Sequence, residues 1–130
     1  MPPEVRYFIL ADQVSASQNN LQRINIQGLV TYIRAKGAPF PLVHPLFHIL
    51  LLLTNGSGSG DLSARIVYDP TTFVVFRTSV QRIRFSGPLD EVMSGFFRVQ
   101  NCSFPNPGLY FVECLFDGTV IARQPLTVTR

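Results

Sequence analysis

The stretch Phe104–Gly118 reads FPNPGLYFVECLFDG and carries the two clearest turn signals of the chain. Pro107-Gly108 and Asp117-Gly118 favour tight turns, and an Asp-Gly pair between apolar residues is the strongest short-range signal for a β-hairpin. Leu109–Phe116 lies between the two turns and has no helical period. We therefore expect two hairpins that share this strand. Their outer strands are Phe96–Phe104 and Thr119–Thr129.

Short strands separated by turn residues continue toward the N-terminus. Prolines at positions 39, 41 and 45 force an extended connection, and Gly87–Glu91 holds at most one helical turn. The further expected strands are Val5–Ala11, Leu21–Ile33, Leu46–Thr54, Leu62–Asp69, Phe73–Thr78 and Val80–Phe85. About eight or nine strands in all predict an all-β fold, a single antiparallel β-sandwich of immunoglobulin-like or jelly-roll-like type.

The composition fits one domain over residues 1–130. Hydrophobic residues make up 46% of the chain and charged residues only 15%, which excludes a disordered chain and a long solvated helix. No segment resembles an export signal, and the longest apolar stretch, Leu46–Leu53, is too short to span a bilayer. We therefore expect a cytoplasmic protein without a membrane partner.

Two of the expected strands are apolar on both faces. The first is Leu109–Phe116, whose second face carries Leu109, Phe111 and Leu115. The other is Leu46–Leu53, whose second face includes Leu50 and Leu52. A strand of an antiparallel sandwich normally turns polar residues toward solvent, so these second faces need a cover. The cover is either a second copy of the chain or another protein, or the loop of residues 34–45 folded across the sheet.

These faces favour a non-enzymatic structural or interaction module that forms a homo-oligomer or docks on a protein partner. The expected contacts are Leu109, Phe111 and Leu115, with Leu50 and Leu52 on a strand beside them. Burial of apolar surface contributes about 25 cal/mol per Å², which supports association without a charged anchor. The alternative is a sandwich that binds a small molecule or carbohydrate in a pocket lined by Phe and Tyr.

The net charge of +3 comes from ten arginines, one lysine and eight acidic residues, and the arginines are scattered along the chain. The densest stretch holds Arg77, Arg82 and Arg84. Arg82 and Arg84 share one face of an extended strand, where arginines commonly solvate a sheet edge. A phosphate-binding stripe is the alternative, but nucleic-acid binders usually mass their cations on one surface. The sequence therefore predicts no nucleic-acid partner.

Few side chains are candidates for catalysis or metal binding. His44 and His48 are four residues apart, but Pro45 disfavours a helix, and on a strand this spacing is about 13 Å, too far for one metal ion. His48 lies in an apolar run, so we expect it to be satisfied in the core or at an interface. His44 and a loop acid would be the proton-transfer pair of an enzyme, the third hypothesis. We therefore predict no metal, no cofactor and no catalytic residue.

Several motifs together resemble a known family. They are Arg6–Asp12, Ile26–Leu29, Phe40–Pro45, Phe104–Tyr110, Asp117-Gly118 and Pro125–Val128. Over nearly its whole length the chain resembles a family of small single-domain bacterial proteins known only as a domain of unknown function. The resemblance implies a compact all-β fold and brings no activity or cofactor. The tract Gly56–Gly60 is a departure that we do not expect the family to share.

The two cysteines are predicted to be free thiols. If Phe104–Gly108 closes a hairpin, Cys102 and Cys114 are offset by about three residues, or about 10 Å, beyond the ~7 Å limit for a disulfide. Free thiols suit a reducing compartment. A thiol titration of the denatured, unreduced protein should therefore detect both sulfhydryl groups, and a titration that detects none would contradict this prediction.

Overall fold

The computed structural model describes residues 3–16, 24–85 and 92–130, which form ten strands and no helix. The strands are β1 (Glu4–Ala16), β2 (Ile24–Leu29), β3 (Tyr32–Arg34), β4 (Leu42–Thr54), β5 (Ser59–Tyr68), β6 (Phe73–Arg77), β7 (Gln81–Arg84), β8 (Met93–Phe104), β9 (Gly108–Phe116) and β10 (Thr119–Thr129). The described residues therefore contain no helix that is long and apolar enough to cross a membrane. The helical turn expected within Gly87–Glu91 lies outside them.

The strands form two packed sheets. Sheet A has the order β2-β1-β4-β8, and sheet B has the order β3-β10-β9-β5-β6 with β7 also paired to β5. Neighbouring strands are antiparallel except for the parallel pair β3 and β10. The orders β1-β4-β8 and β10-β9-β5 correspond to the two sheets of an immunoglobulin-like sandwich. The predicted all-β sandwich is therefore confirmed.

The expected strand Leu21–Ile33 is in fact divided between the sheets. β2 pairs with β1 in sheet A, whereas β3 pairs with β10 in sheet B. The chain crosses between the sheets at Val30 and Thr31, whereas residues 21–23 lie outside the described residues. This division accounts for ten strands where about eight or nine were expected.

The core lies between the sheets and is built by alternation along the central strands. Phe47, Ile49, Leu51 and Leu53 of β4 point inward and are fully buried. They meet inward residues of sheet B such as Val112. A fully buried side chain of this size contributes about 1.5–3 kcal/mol relative to an exposed one, so this layer fixes which face of each strand points inward.

The turn Phe104–Gly108 is not a hairpin, and this corrects the first of the two predicted turns. β8 pairs with β4 in sheet A, whereas β9 pairs with β5 and β10 in sheet B. The chain therefore passes from one sheet to the other at this turn. The second turn is confirmed as a hairpin, because β9 and β10 pair directly on either side of Asp117-Gly118. Both turn residues have positive φ (51° and 83°), as a type I′ turn requires.

A buried tyrosine holds the crossing turn in place. The Tyr110 hydroxyl donates a hydrogen bond to the Asn106 carbonyl at 2.7 Å and accepts one from the Asn106 N–H at 3.3 Å. Its ring packs edge-on against Phe104, with centroids 5.0 Å apart. This is the tyrosine corner of immunoglobulin-like sandwiches. In antibody domains the residue two positions later is a disulfide cysteine, whereas Val112 fills that position here.

Both thiols are free and buried in the core. The hairpin register that we used to separate them is wrong, because Cys102 lies on β8 of sheet A and Cys114 on β9 of sheet B. Burial raises the pKa of each thiol to about 12. Since the thiolate is the nucleophile, neither cysteine is suited to catalysis.

The tyrosine corner predicts a specific loss of stability. Tyr110→Phe should lower the free energy of unfolding by about 1–3 kcal/mol, because it leaves polar groups of Asn106 without their partner. Tyr68→Phe is the matched control, since the half-buried Tyr68 hydroxyl makes one longer bond, to the Pro107 carbonyl at 3.3 Å. Urea unfolding of both variants measures the difference. Equal losses of unfolding free energy in the two variants would show that the Tyr110 hydrogen bonds stabilise the protein no more than the Tyr68 hydrogen bond does.

Candidate interaction surfaces

The five predicted contact residues lie on two opposite surfaces of the sandwich. Leu50 and Leu52 belong to β4 and point outward from sheet A. Leu109, Phe111 and Leu115 belong to β9 and point outward from sheet B. The expectation that the two strands lie beside each other is wrong, because the chain changes sheets between them. The five residues therefore form two separate surfaces and not the single contact surface that the sequence predicts.

The outer face of sheet A carries a surface that we call the neutral patch. Its members are Tyr7, Ile9, Leu46, Leu50, Leu52 and Phe96. Leu50 lies at its centre, directly between Ile9 of β1 and Phe96 of β8. Leu50 is only 2% exposed, whereas Tyr7 is 53% and Phe96 36% exposed. The neighbouring side chains cover the middle of the patch and leave an apolar rim in contact with solvent.

Sequence reasoning missed part of this patch. The alternation of Val5–Ala11 predicts Val5, Tyr7 and Ile9 on one face, but the register with β4 shifts between Val5 and Tyr7. Val5 therefore pairs with inward-facing Leu53, and Tyr7 pairs with outward-facing Leu52. Alternation predicts that these residues share one face of the strand, but a bulge determines which of them lie on the outer face.

His48 lies beside the patch and is satisfied, as the sequence predicts. It is 7% exposed, and its Nδ1 donates to the Asp12 carbonyl at 2.8 Å. Its ring stacks on Phe96, with centroids 5.1 Å apart. Because a carbonyl only accepts hydrogen bonds, this contact places a proton on Nδ1. His48 therefore supports the patch and holds Phe96 in position.

Part of the outer face of sheet B lies under the chain's own arginines. Glu113 lies between Arg65, at 2.7 Å, and Arg123, at 3.4 Å. The Arg123 guanidinium lies over the Phe111 ring, 3.8 Å from its centroid. Leu115 is only 7% exposed. Arg123 thus covers Phe111, so part of the second apolar face of Leu109–Phe116 lies under one of the chain's own arginines.

One strand edge in each sheet, at β8 and at β10, is blocked against pairing with a further strand. On β8, the Gln81 side-chain amide donates to the Phe96 carbonyl and accepts from the Phe96 N–H. On β10, the Thr129 carbonyl bonds to the Ala35 N–H beside β3. By alternation the backbone of Pro125 faces the same edge, where proline has no N–H to offer. These features disfavour edge-to-edge association and leave the faces as docking surfaces.

His44 lies apart from both surfaces. It is half-buried, with its ring 5.9 Å from Phe47, and its Nε2 is buried without a hydrogen-bond partner. It lines a cleft of about 510 Å³ that also contains Asp12 and Lys36. In the described part of the chain no hydrogen bond joins His44 to an acid, and no cluster of residues forms a metal site. His44 and Asp12 therefore line the same cleft without a hydrogen bond between them.

The buried carboxylate of Glu113 leads to a third testable prediction. Glu113→Gln should lower the free energy of unfolding by about 1–3 kcal/mol, because the two arginines lose their partly buried counter-ion. Asp61→Asn is the control, because the Arg82–Asp61 pair (2.9 Å) is exposed on both sides and such pairs contribute at most about 1 kcal/mol. Thermal and urea unfolding report both changes. A loss for Glu113→Gln no larger than for Asp61→Asn would contradict the central role of Glu113.

Comparisons with solved structures support the fold alone. Two structures of β-glucosidase from Listeria innocua, with isofagomine and with glucose, match at a TM-score of 0.50 and 11% identity. The match covers 95% of this chain but only 16% of the glucosidase. An immunoglobulin-like protein from Pseudomonas aeruginosa matches at a TM-score of 0.39 and 15% identity, over 98% of this chain and 97% of that one.

No curated protein matches the sequence. The model of a family described as "Family of unknown function (DUF6941)" matches residues 6–129, nearly the whole chain. This match confirms the resemblance that the sequence motifs carry. The chain therefore belongs to DUF6941, a family of unknown function.

Proposed function

We propose that this protein is a non-enzymatic interaction module that self-associates through the neutral patch. The observation that carries the proposal is an apolar cluster on three adjacent strands, with Tyr7 and Phe96 exposed at its rim and Leu46 exposed beyond the pair His48 and Arg98. Exposed apolar clusters on an otherwise folded domain commonly mark protein–protein contacts. Blocked strand edges favour association through this face over addition of a strand.

A second copy of the chain suits the patch better than a charged partner. None of the six members of the patch is acidic or basic. Arg98 of β8 lies opposite His48, between Leu46 and Leu50, so two copies must meet with these arginines apart. A two-fold arrangement places the same residues on both sides, and sheet faces pack at about 10 Å. The arginines on the outer face of sheet B would instead repel their own copies. The neutral patch is thus the face on which a homodimer forms at lower electrostatic cost.

The size of the patch limits the strength of the dimer. Leu46 to Leu52 spans about 20 Å along β4, and strands β1, β4 and β8 span about 10–15 Å across the sheet. This places the contact at the small end of protein interfaces, below about 600 Å² per partner. We therefore expect a dissociation constant in the micromolar range, with exchange between monomer and dimer.

The alternative function, binding of a small molecule or carbohydrate, has weaker support. Each of four clefts that the described residues line contains a single Phe or Tyr: Phe8 in two of them, and Tyr32 and Phe40 in the others. A ligand site of that kind usually gathers several apolar or aromatic side chains around convergent polar groups. We also propose the bacterial cytoplasm as the setting, which the buried free thiols and the sequence resemblance support.

The experiment is a concentration series by sedimentation velocity on the wild type and three variants. Phe96→Ser and Tyr7→Ser each remove an exposed part of the patch and should raise the dissociation constant by about tenfold or more. Phe73→Ser is the matched control, because Phe73 is 62% exposed but lies on β6 of sheet B. Circular dichroism confirms that each variant is folded. A wild type that stays monomeric at millimolar concentration, or a dimer weakened equally by Phe73→Ser, would contradict the proposal.

A further inference from the structure

Half of the chain's arginines lie together on one surface, although they are scattered in the sequence. They belong to four strands of sheet B, and their side chains share its outer face. We call this surface the arginine face, and its members are Arg65, Arg77, Arg82, Arg84 and Arg123. The stretch that holds Arg77, Arg82 and Arg84 is therefore only one side of a wider cationic surface.

The register of the strands brings these residues together. Arg77 lies directly opposite Arg65, Arg65 lies opposite Glu113, and Glu113 lies opposite Arg123, so the four form one row across the sheet. Farther along β5, Arg82 lies opposite Asp61 and Arg84 opposite Ser59. Paired residues in a sheet project to the same side, so every member of the row and both residues of β7 face outward.

Two of the five arginines have no counter-ion in the described part of the chain. Glu113 holds Arg65 and Arg123, and Asp61 holds Arg82. Arg77 and Arg84 make no such pair there, and both are exposed. Arg77 also lies opposite another arginine, and like charges in directly opposed positions destabilise a sheet. The face keeps an excess of positive charge and an unfavourable pair that an incoming anion would relieve.

We propose that the arginine face binds an acidic segment of a different protein. Apolar side chains lie beside the arginines, namely Phe111, Pro125 and Val67 in the row beyond Arg65. Arginine together with aromatic and apolar residues is the composition of protein interfaces. The carboxylates of Glu113 and Asp61 stand among the arginines and would repel the continuous charge of a nucleic-acid backbone. A second copy is disfavoured, because it would bring like charges together.

The geometry also sets the spacing of the partner's acids. The β5 residues opposite Arg84 and Arg77 are Ser59 and Arg65, six positions apart, which is about 20 Å along the strand. An extended segment covers that distance in about six residues and a helix in about thirteen. The partner therefore carries carboxylates about 20 Å apart, with an apolar side chain beyond the carboxylate at Arg77, where Phe111 and its neighbours lie.

The probe is a fluorescein-labelled ten-residue peptide with glutamate at positions 1, 3 and 7 and valine at position 9, which share one face of an extended segment. Its binding is followed by anisotropy at low and high salt. The wild type should bind it, and affinity should fall as salt rises. Arg77→Glu/Arg84→Glu should weaken binding by about tenfold or more, because each change turns an attraction into a repulsion. Arg6→Glu/Arg98→Glu is the control, with the same change in net charge on sheet A.

Three results would overturn the inference. They are no binding by the wild type, equal losses in the two double variants, and tighter binding of a ten-nucleotide single-stranded DNA than of the peptide. The last result would assign the face to nucleic acid. Circular dichroism checks that the variants fold. The inference is independent of self-association, since Arg77→Glu/Arg84→Glu should leave the sedimentation behaviour of the neutral patch unchanged.

Discussion

The turn from Phe104 to Tyr110 is the constraint on which the placement of both surfaces depends. Tyr110 fixes it through the two hydrogen bonds to Asn106, and the rings of Phe104 and Tyr110 are both fully buried beside it. The turn joins β8 of sheet A to β9 of sheet B. Because β4 pairs with β8 in sheet A, β4 and β9 lie in different sheets and are not neighbours. The two strands that are apolar on both faces therefore present those second faces to opposite sides of the sandwich.

Local patterns in the sequence predict the fold class but not this separation. Alternating short strands, the Asp117-Gly118 turn and the lack of a helical period are local signals, and they predict an all-β sandwich correctly. A Pro-Gly turn is compatible with a hairpin and with a crossing between sheets. The choice between them depends on whether the flanking Phe104 and Tyr110 are drawn into the core, which is a property of the whole packing. The sequence therefore indicates a turn at Pro107 but not whether the turn closes a hairpin or crosses to the other sheet.

The surfaces are less predictable than the fold because they depend on register across distant strands. A bulge between Val5 and Tyr7 turns Val5 to the inner face while Tyr7 stays with Ile9 on the outer face, and no local pattern marks it. Likewise, Arg65 and Arg123 are 58 positions apart in the chain (123 minus 65), yet both reach Glu113. The apolar character of Leu109–Phe116 is visible in the sequence, but its cover by Arg123 is not. The outward apolar face of β9, which suggested a partner, is therefore covered in part by the chain's own Arg123.

The neutral patch is apolar and the arginine face is cationic, and they lie on opposite sides of the sandwich, so both could be occupied at once. A two-fold dimer through the neutral patch stacks sheet B, sheet A, and then the partner's sheet A and sheet B. Since sheets pack about 10 Å apart, the two arginine faces would lie about 30 Å apart and point in opposite directions. Neither is covered by the dimer contact, and the distance weakens the repulsion between them beyond the screening length of about 8 Å at physiological salt. The proposed self-association on one side would therefore double the cationic surfaces without hiding either, and two acidic segments of one assembly would be held with greater avidity than one.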